Sequence, residues 1–417
     1  MKLTIVFLLM AALTLGENRL AAALVTSSLT LAADQMMALQ KQVDDAYAAY
    51  TTTNDASGKL WETYYHLNDT NLPVIFELAK AAPASEASFA AFAWIVTNGR
   101  IGVRSLRPYG KRALEYLRDY HTTNSGIGEI CRHLGNQWDP MDETALDFLR
   151  RAAENNPERN ARGYAILALG QMLKGKAEGL AFFPFSPVLT NQWWMQASAD
   201  YQAEMKATGT NTLSAQAQQT LETVLANYAD CPTQTRHGLR RPKATLGEEA
   251  SVELYELNHL EPGKTAPEIS GKDVDGKPLK LSRFRGEVVV LSFWASWCGP
   301  CMQMIPLERA LAERLKAQPF TMLGVSGDAA AADAKRAMQK ESVTWPSFWK
   351  QGGPNGAIAD AWNIHGWPTV FVIDPQGVIR LKFEGYGGNY TSNLLNSAVD
   401  RMLKETHGLK NKVSPAW

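Results

Sequence analysis

Trp297-Cys298-Gly299-Pro300-Cys301 stands between two unlike stretches of the chain. Ahead of it, Glu287-Val288-Val289-Val290-Leu291-Ser292-Phe293-Trp294 is an apolar run of β-branched and aromatic residues, which predicts a buried strand. Behind it, Met302 to Lys316 places Ile305, Leu307, Leu311 and Leu315 at roughly helical spacing, which predicts a helix. Two cysteines three positions apart in a first helical turn share a face and can bridge without moving the backbone. Cys298 would begin that helix. Unpaired N–H groups and the helix dipole there favour a thiolate and lower a cysteine pKa from ~8.5 toward ~7 or below. Pro300 suits the first turn, where its missing N–H has no partner to lose. The pattern points to redox chemistry.

A lone C-x-x-C can also be half of a zinc site, but such a site needs a second pair of ligands at short spacing. Cys131 and Cys231 are far away and belong to no pair. Cys131 and His133 are two apart, so on a helix they would not face the same side. No metal is expected. A purely structural bridge is disfavoured, because so short a loop constrains the unfolded chain little. Cys131 and Cys231 are equally readable as a disulfide or as two buried thiols.

Phe293 to Cys301 resembles the thioredoxin active site almost residue for residue. Gly366-Trp367-Pro368-Thr369-Val370-Phe371-Val372-Ile373-Asp374 resembles the segment that carries that fold's cis-proline. Ala266-Pro267-Glu268, Asp275-Gly276-Lys277 and Leu281-Ser282 resemble the opening of the TlpA/ResA-like branch of exported redoxins. The resemblance runs from about Pro262 to His407. It implies a thioredoxin-like α/β fold and thiol-disulfide exchange. Cys298 would attack or receive a disulfide, Cys301 would resolve it, and Pro368 would shape the docking loop. Trp297 and Trp367, each just before a key residue, would border the nucleophile as an apolar rim. The Gly299-Pro300 dipeptide is similar to that of reducing thioredoxins, which favours a reductase. The only cofactor expected is the redox-active Cys298–Cys301 pair itself.

Two positions depart from the family. Where thioredoxin has an aspartate under the site this chain has Ser292, and where many ResA-like proteins have a glutamate it has Met304. Neither side chain can accept the proton of Cys301, which leaves solvent water or a different acid to do so.

The pattern of this half agrees with the resemblance. Asp275-Gly276 is a hairpin-turn signal. Phe320 to Val325, Val370 to Ile373 and Val378 to Phe383 read as strands, the last two joined across Asp374-Pro375-Gln376-Gly377. Ala329 to Glu341 and Asn393 to Lys404 read as helices. Strands alternating with helices argue for an α/β sheet.

At 417 residues the chain is too long for one such fold. The expected organisation is multidomain: an export leader over 1–23, with an alternative end near 33; an all-α domain over 34–235; a linker over 236–261; and the thioredoxin-like domain over 262–417. The leader reading rests on Lys2 ahead of the apolar run Leu3 to Leu15 and on Ala21-Ala22-Ala23. It predicts an exported, periplasmic or extracytoplasmic protein, touching the membrane only if that segment stays uncleaved. An oxidising compartment suits a disulfide partner protein. Helices are expected around Met36–Tyr47, Ala87–Val96, Ala113–Tyr120, Glu143–Ala153, Asn160–Leu173 and Thr212–Tyr228, with Phe182 to Trp194 as a packed loop. Alanine-rich helices and short turns suggest a helical-hairpin array of the kind that binds a protein partner.

Lysine plus arginine and aspartate plus glutamate balance at 42 each, so no basic field argues for nucleic acid. The expected partners are a protein disulfide or dithiol and an unidentified electron donor or acceptor. Two rivals remain at this level. One is a partner-binding helical module with a vestigial redox domain. The other is a thiol peroxidase, although Leu291 and Ala295 occupy the places where a peroxidase needs proline and threonine or serine.

Overall fold

The computed structural model describes residues 18–53, 58–98, 107–137, 139–182, 199, 203, 207–233, 245–350, 353 and 356–412. They fall into two compact units, one through Met172 and one from Leu173 onward. Residues 1–17, Trp194 and the basic stretch Arg236 to Lys243 lie outside the described residues, as do 183–198 as a whole. The chain from Asn18 to Thr52, which includes both expected ends of the 1–23 leader, at 23 and near 33, is a single helix, α1.

The first unit is all-helical. After α1 come α2 (Lys59–Lys80), α3 (Glu86–Asn98), α4 (Arg107–Tyr120), α5 (Gly128–Gln137), α6 (Glu143–Asn155) and the first part of α7 (Arg159–Phe182). Successive helices pack as hairpins, α1 on α2, α2 on α3 and α3 on α4. Leu72, Ile75 and Phe76 of α2 and Phe92 and Ile95 of α3 are fully buried, and Phe76 meets Phe92 edge-on at 5.9 Å. Tyr116 of α4 stacks on Phe92 at 4.8 Å. Asp142 caps α6 by accepting from the Thr144 N–H at 2.9 Å. Its side chain supplies an acceptor for an N–H that the helix leaves over.

The second unit takes the remainder of α7, then α8 (Thr210–Asn227) and α9 (Leu246–His259). Helix α9 lies within the stretch read from sequence as linker. Thr245 caps it through the Glu248 N–H, and Leu246, Ala250, Leu254 and Leu257 are buried along one side. The pattern Thr245-x-x-Glu248 is a capping-box signal that marks a helix start.

Beyond α9 the α/β fold begins: β1 (Ser270–Asp273), β2 (Pro278–Lys280), β3 (Val288–Trp294), α10 (Gly299–Leu315), β4 (Phe320–Ser326), α11 (Ala331–Lys340), β5 (Ser347–Trp349), α12 (Ala357–Ala361), β6 (Thr369–Ile373), β7 (Ile379–Glu384) and α13 (Asn389–Lys412). One seven-stranded sheet runs in the order β2-β1-β5-β4-β3-β6-β7. Strands β3, β4 and β5 are parallel, whereas β6 runs antiparallel to β3 and β7 to β6. Hairpin β1–β2 turns at Gly276, whose φ of 83° only glycine adopts freely.

Every residue of β3 is buried. A strand covered on both faces splits its side chains by parity. Val288, Val290 and Trp294 enter a core with α10, α11 and α13, while Val289, Leu291 and Phe293 enter another with Leu260, Trp362 and Phe371. Because β3 and β4 are parallel and β6 is antiparallel, the exits of β3 and β4 share one sheet edge with the entrance of β6. That edge carries the site.

Phe371 is fully buried and meets Trp362 edge-on at 4.9 Å. Replacing it with alanine leaves a cavity in the second core, and denaturant unfolding of Phe371→Ala should show a loss of about 3–5 kcal/mol.

Candidate functional site

Helix α10 starts where the sequence reading places it. Cys298 is its N-cap, with Sγ accepting the Cys301 N–H at 3.1 Å, and Pro300 lies in the first turn. Cys298 and Cys301 form a disulfide with Cα atoms 5.2 Å apart. The pair is nearly buried, with Cys298 at 5 % and Cys301 at 2 % exposure. Trp297 beside them is 56 % exposed. Trp367–Pro368 is a cis peptide bond at the entrance to β6. The two indoles bring their loops together, Trp297 meeting Trp367 edge-on at 5.8 Å. Trp367 also lies against Gly327, where even a Cβ would come within 2.4 Å of the ring.

Asp328, just past β4, clamps the loop between β3 and α10. Its buried carboxylate accepts the Ser296 N–H at 3.1 Å, the Ser296 hydroxyl at 2.5 Å and the Ser326 hydroxyl at 2.9 Å. Three donors on one buried carboxylate compensate its desolvation and fix the backbone two residues before Cys298. Trp349 Nε1 donates to the Asp328 carbonyl at 3.0 Å. Nothing in the sequence reading singled out Asp328, because Ser296, the residue it holds, lies 32 positions earlier in the loop after β3.

The buried face of α10 consists of Cys301, Met304, Ile305, Glu308, Leu311 and Leu315. Leu307, expected on that face, is only partly buried. Glu308 instead occupies the middle of the apolar stripe, seven residues after Cys301 and therefore on the same face. Side chains on a helix lean toward its N-terminus, which directs this carboxyl toward Cys301. Ser292 has the parity of Val290 and Trp294 and so faces α10. Among the described residues neither Glu308 Oε1 nor Ser292 Oγ has a partner at full hydrogen-bond geometry, although the two side chains are close enough to interact. Burial pushes the Glu308 carboxyl up to about 7, the Ser292 hydroxyl drawing it back in part. A titratable acid therefore does lie on the buried face of the helix that the cysteines begin, two turns beyond Cys301, where Ser292 and Met304 offered none. Its signal in the sequence was a carboxylate at a stripe position, at the i+3, i+4, i+7 spacing from Cys301.

A cavity of about 470 Å³ flanks the cis-proline loop, with Phe383, Tyr386, Tyr390 and Leu394 among its walls. The loop is joined to it by the Gly385 N–H, which donates to the Pro368 carbonyl at 2.8 Å. Cys131 and Cys231 are both buried thiols. Desolvation raises the Cys131 pKa strongly, which suppresses its thiolate. His365 is exposed.

A C-x-x-C disulfide at the start of the helix after a central buried strand, beside a cis-proline loop, defines a thioredoxin-like disulfide protein. Residues 262–382 match the AhpC/TSA family. The thiol-disulfide oxidoreductase ResA of Bacillus thuringiensis subsp. konkukian is 28 % identical over 126 residues, 30 % of this chain and 71 % of that protein. The thioredoxin-like protein YneN of Bacillus subtilis is 31 % identical over 124 residues, 29 % of this chain and 70 % of that protein. A solved structure described as a thiol:disulfide interchange protein DsbE, from Chlorobium tepidum, is 30 % identical. It aligns over 34 % of this chain and 99 % of its own, with a TM-score of 0.32. The chain belongs to the ResA-like redoxins, thioredoxin-like thiol-disulfide oxidoreductases.

The position of Glu308 has a stability consequence. Its carboxyl is pushed from an ordinary 4.5 to about 7 in the folded chain. Between those values the folded state keeps a proton that the unfolded state has shed, so stability is full below the lower value and drains as pH rises through the upper one. The loss is about 3 kcal/mol. Glu308→Gln, neutral at every pH, should abolish it. Its melting midpoint should exceed the parent's at about pH 8 and lose that advantage at about pH 4.

Proposed function

We propose that the protein is an exported reductase of protein disulfides. The observation that carries the exchange chemistry is the Cys298–Cys301 bridge at the α10 N-terminus with a neutralisable acid beneath it. In the reduced enzyme the Cys298 thiolate attacks one sulfur of a partner disulfide. The partner S–S bond breaks, one partner thiolate leaves, and a mixed disulfide with Cys298 remains. The Cys301 thiol then loses its proton toward the Glu308 carboxylate, two helical turns away, by way of the Ser292 hydroxyl and water, and the resulting thiolate attacks Cys298 Sγ. That step releases the second partner thiol and re-forms the Cys298–Cys301 bridge, so two electrons pass from enzyme to partner. An external dithiol must then reduce the bridge again. Trp297, Trp367 and Pro368 serve as the docking rim, and Gly299-Pro300 supports the reducing direction.

Export is supported by the residue pattern at the N-terminus. Among the described residues no helix is long and apolar enough to cross a membrane. The helical unit is read as a surface for a protein partner.

Insulin reduction driven by dithiothreitol tests the reading. The parent should accelerate it, and Cys298→Ser should be inert. A parent no faster than dithiothreitol alone would overturn the reading.

The role of Glu308 is tested by stopped-flow measurement of mixed-disulfide resolution across pH. In the parent the rate should climb to a plateau as the carboxyl ionises near neutrality. Glu308→Gln should be at least about tenfold slower at neutral pH and should keep climbing as hydroxide takes over. Superimposable profiles would remove Glu308 from the mechanism.

A further inference from the structure

Helix α12 is short, and the chain leaves it through Asn363, whose backbone is left-handed with φ of 45°. Asparagine tolerates that region better than most residues. The N–H groups of Trp362 and Ile364 turn back to the carbonyls of Ile358 and Ala359. Such bonds finish a helix that ends on a left-handed residue. His365, Gly366 and Trp367 come next, and then cis Pro368. The way α12 ends therefore sets how the chain enters the cis-proline loop.

Two adjacent residues of α9 hold that end. The Tyr255 hydroxyl donates to the Ala361 carbonyl at 2.8 Å, one of the acceptors that a helix C-terminus leaves over. Asn363 Nδ2 donates to Glu256 Oε1 at 2.7 Å. The other oxygen of that carboxylate is ion-paired with Lys174 of α7 and, at 3.3 Å, with Lys382 of β7.

Glu256 and Lys174 are both buried. Burial works to raise the Glu256 carboxyl, but the ammonium groups of Lys174 and Lys382 outweigh it and hold the pKa below the ordinary value. Asn363 is thus gripped by an ionised acceptor, a stronger partner than a neutral one. Glu178 and Glu261 approach the same place, their carboxylates lying within 4.8 Å of Glu256 and of each other. The two lysines already provide cations there. Gly385, the residue that follows the strand carrying Lys382, meets the loop again by donating its N–H to the Pro368 carbonyl. One carboxylate ties α9, the end of α12 and β7 into a single support for the docking loop.

We propose that Tyr255 and Glu256 are positioning residues for partner docking. Acting through Ala361 and Asn363, they fix the loop that presents Trp367 and Pro368 to a protein disulfide. Helix α9 precedes the family match at 262–382 and yet belongs to the docking site. The inference rests on the exchange with protein disulfides proposed above.

Asn363→Gly keeps the left-handed backbone and removes only the amide that Glu256 holds. Tyr255→Phe removes one hydroxyl from a side chain at the surface, so at least this variant should fold. Each is compared with the parent in insulin reduction and in exchange with a small aromatic disulfide, with melting midpoints confirming the fold. The expected result is a rise in KM for insulin of about five- to tenfold in Asn363→Gly, and a smaller rise in Tyr255→Phe. The value of kcat and the rate on the small disulfide should stay within about twofold of the parent. Unchanged KM in folded variants overturns the proposal, as does an equal fall in the small-disulfide rate, which would mean that these residues act on the cysteines rather than on docking. A parent inactive on both substrates would instead overturn the proposed function.

Discussion

Burial of β3 on both faces is the constraint on which the site depends. A strand with no solvent side must divide its side chains between two cores, and that division fixes the rotation of everything at its end. It turns Ser292 toward α10 and Phe293 toward Trp362 and Phe371. It also fixes where the chain leaves the sheet, so that Cys298 arrives as the cap of α10 rather than within its body. The parallel neighbour β4 and the antiparallel neighbour β6 then bring Asp328 and Pro368 to the same edge without a long loop. A slip of one residue in the register of β3 would exchange the two cores and undo all three placements.

Much of this could be read in the chain itself. The apolar run, the C-x-x-C and the later Trp367-Pro368 lie in short contiguous segments whose chemistry is local, and all three occur where they were expected. The helices over Glu86–Asn98 and Glu143–Asn155 are likewise carried by periodicity and a cap. Other features were hidden for identifiable reasons. Strand β5 is only three residues long, too few to show a period. Helix α9 was obscured by the basic stretch ahead of it, although Thr245 and Glu248 announce its start. Asp328 gains meaning only when loops distant in sequence meet. Glu308 is the least legible of them, because it lies at neither of the two positions where related proteins carry an acid but within the apolar stripe that continues from Cys301.

A carboxyl in that stripe is costly, since an ionised group there faces apolar neighbours. A carboxylic acid that stays protonated below neutrality avoids most of the penalty and is ready to ionise when a proton acceptor is wanted. The arrangement resembles a bargain between packing and chemistry: one position in the stripe gives up some cohesion at alkaline pH so that a proton can be moved in a site nearly closed to water.

The Asp328 clamp has a further meaning. Two donors of Ser296, its N–H and its hydroxyl, bind Asp328 and hold the chain on the approach to Cys298, and neither bond involves a sulfur atom. Opening the disulfide breaks neither of these bonds. The hold of β4 on the loop that delivers Cys298 is thus built from groups that the exchange of electrons does not touch.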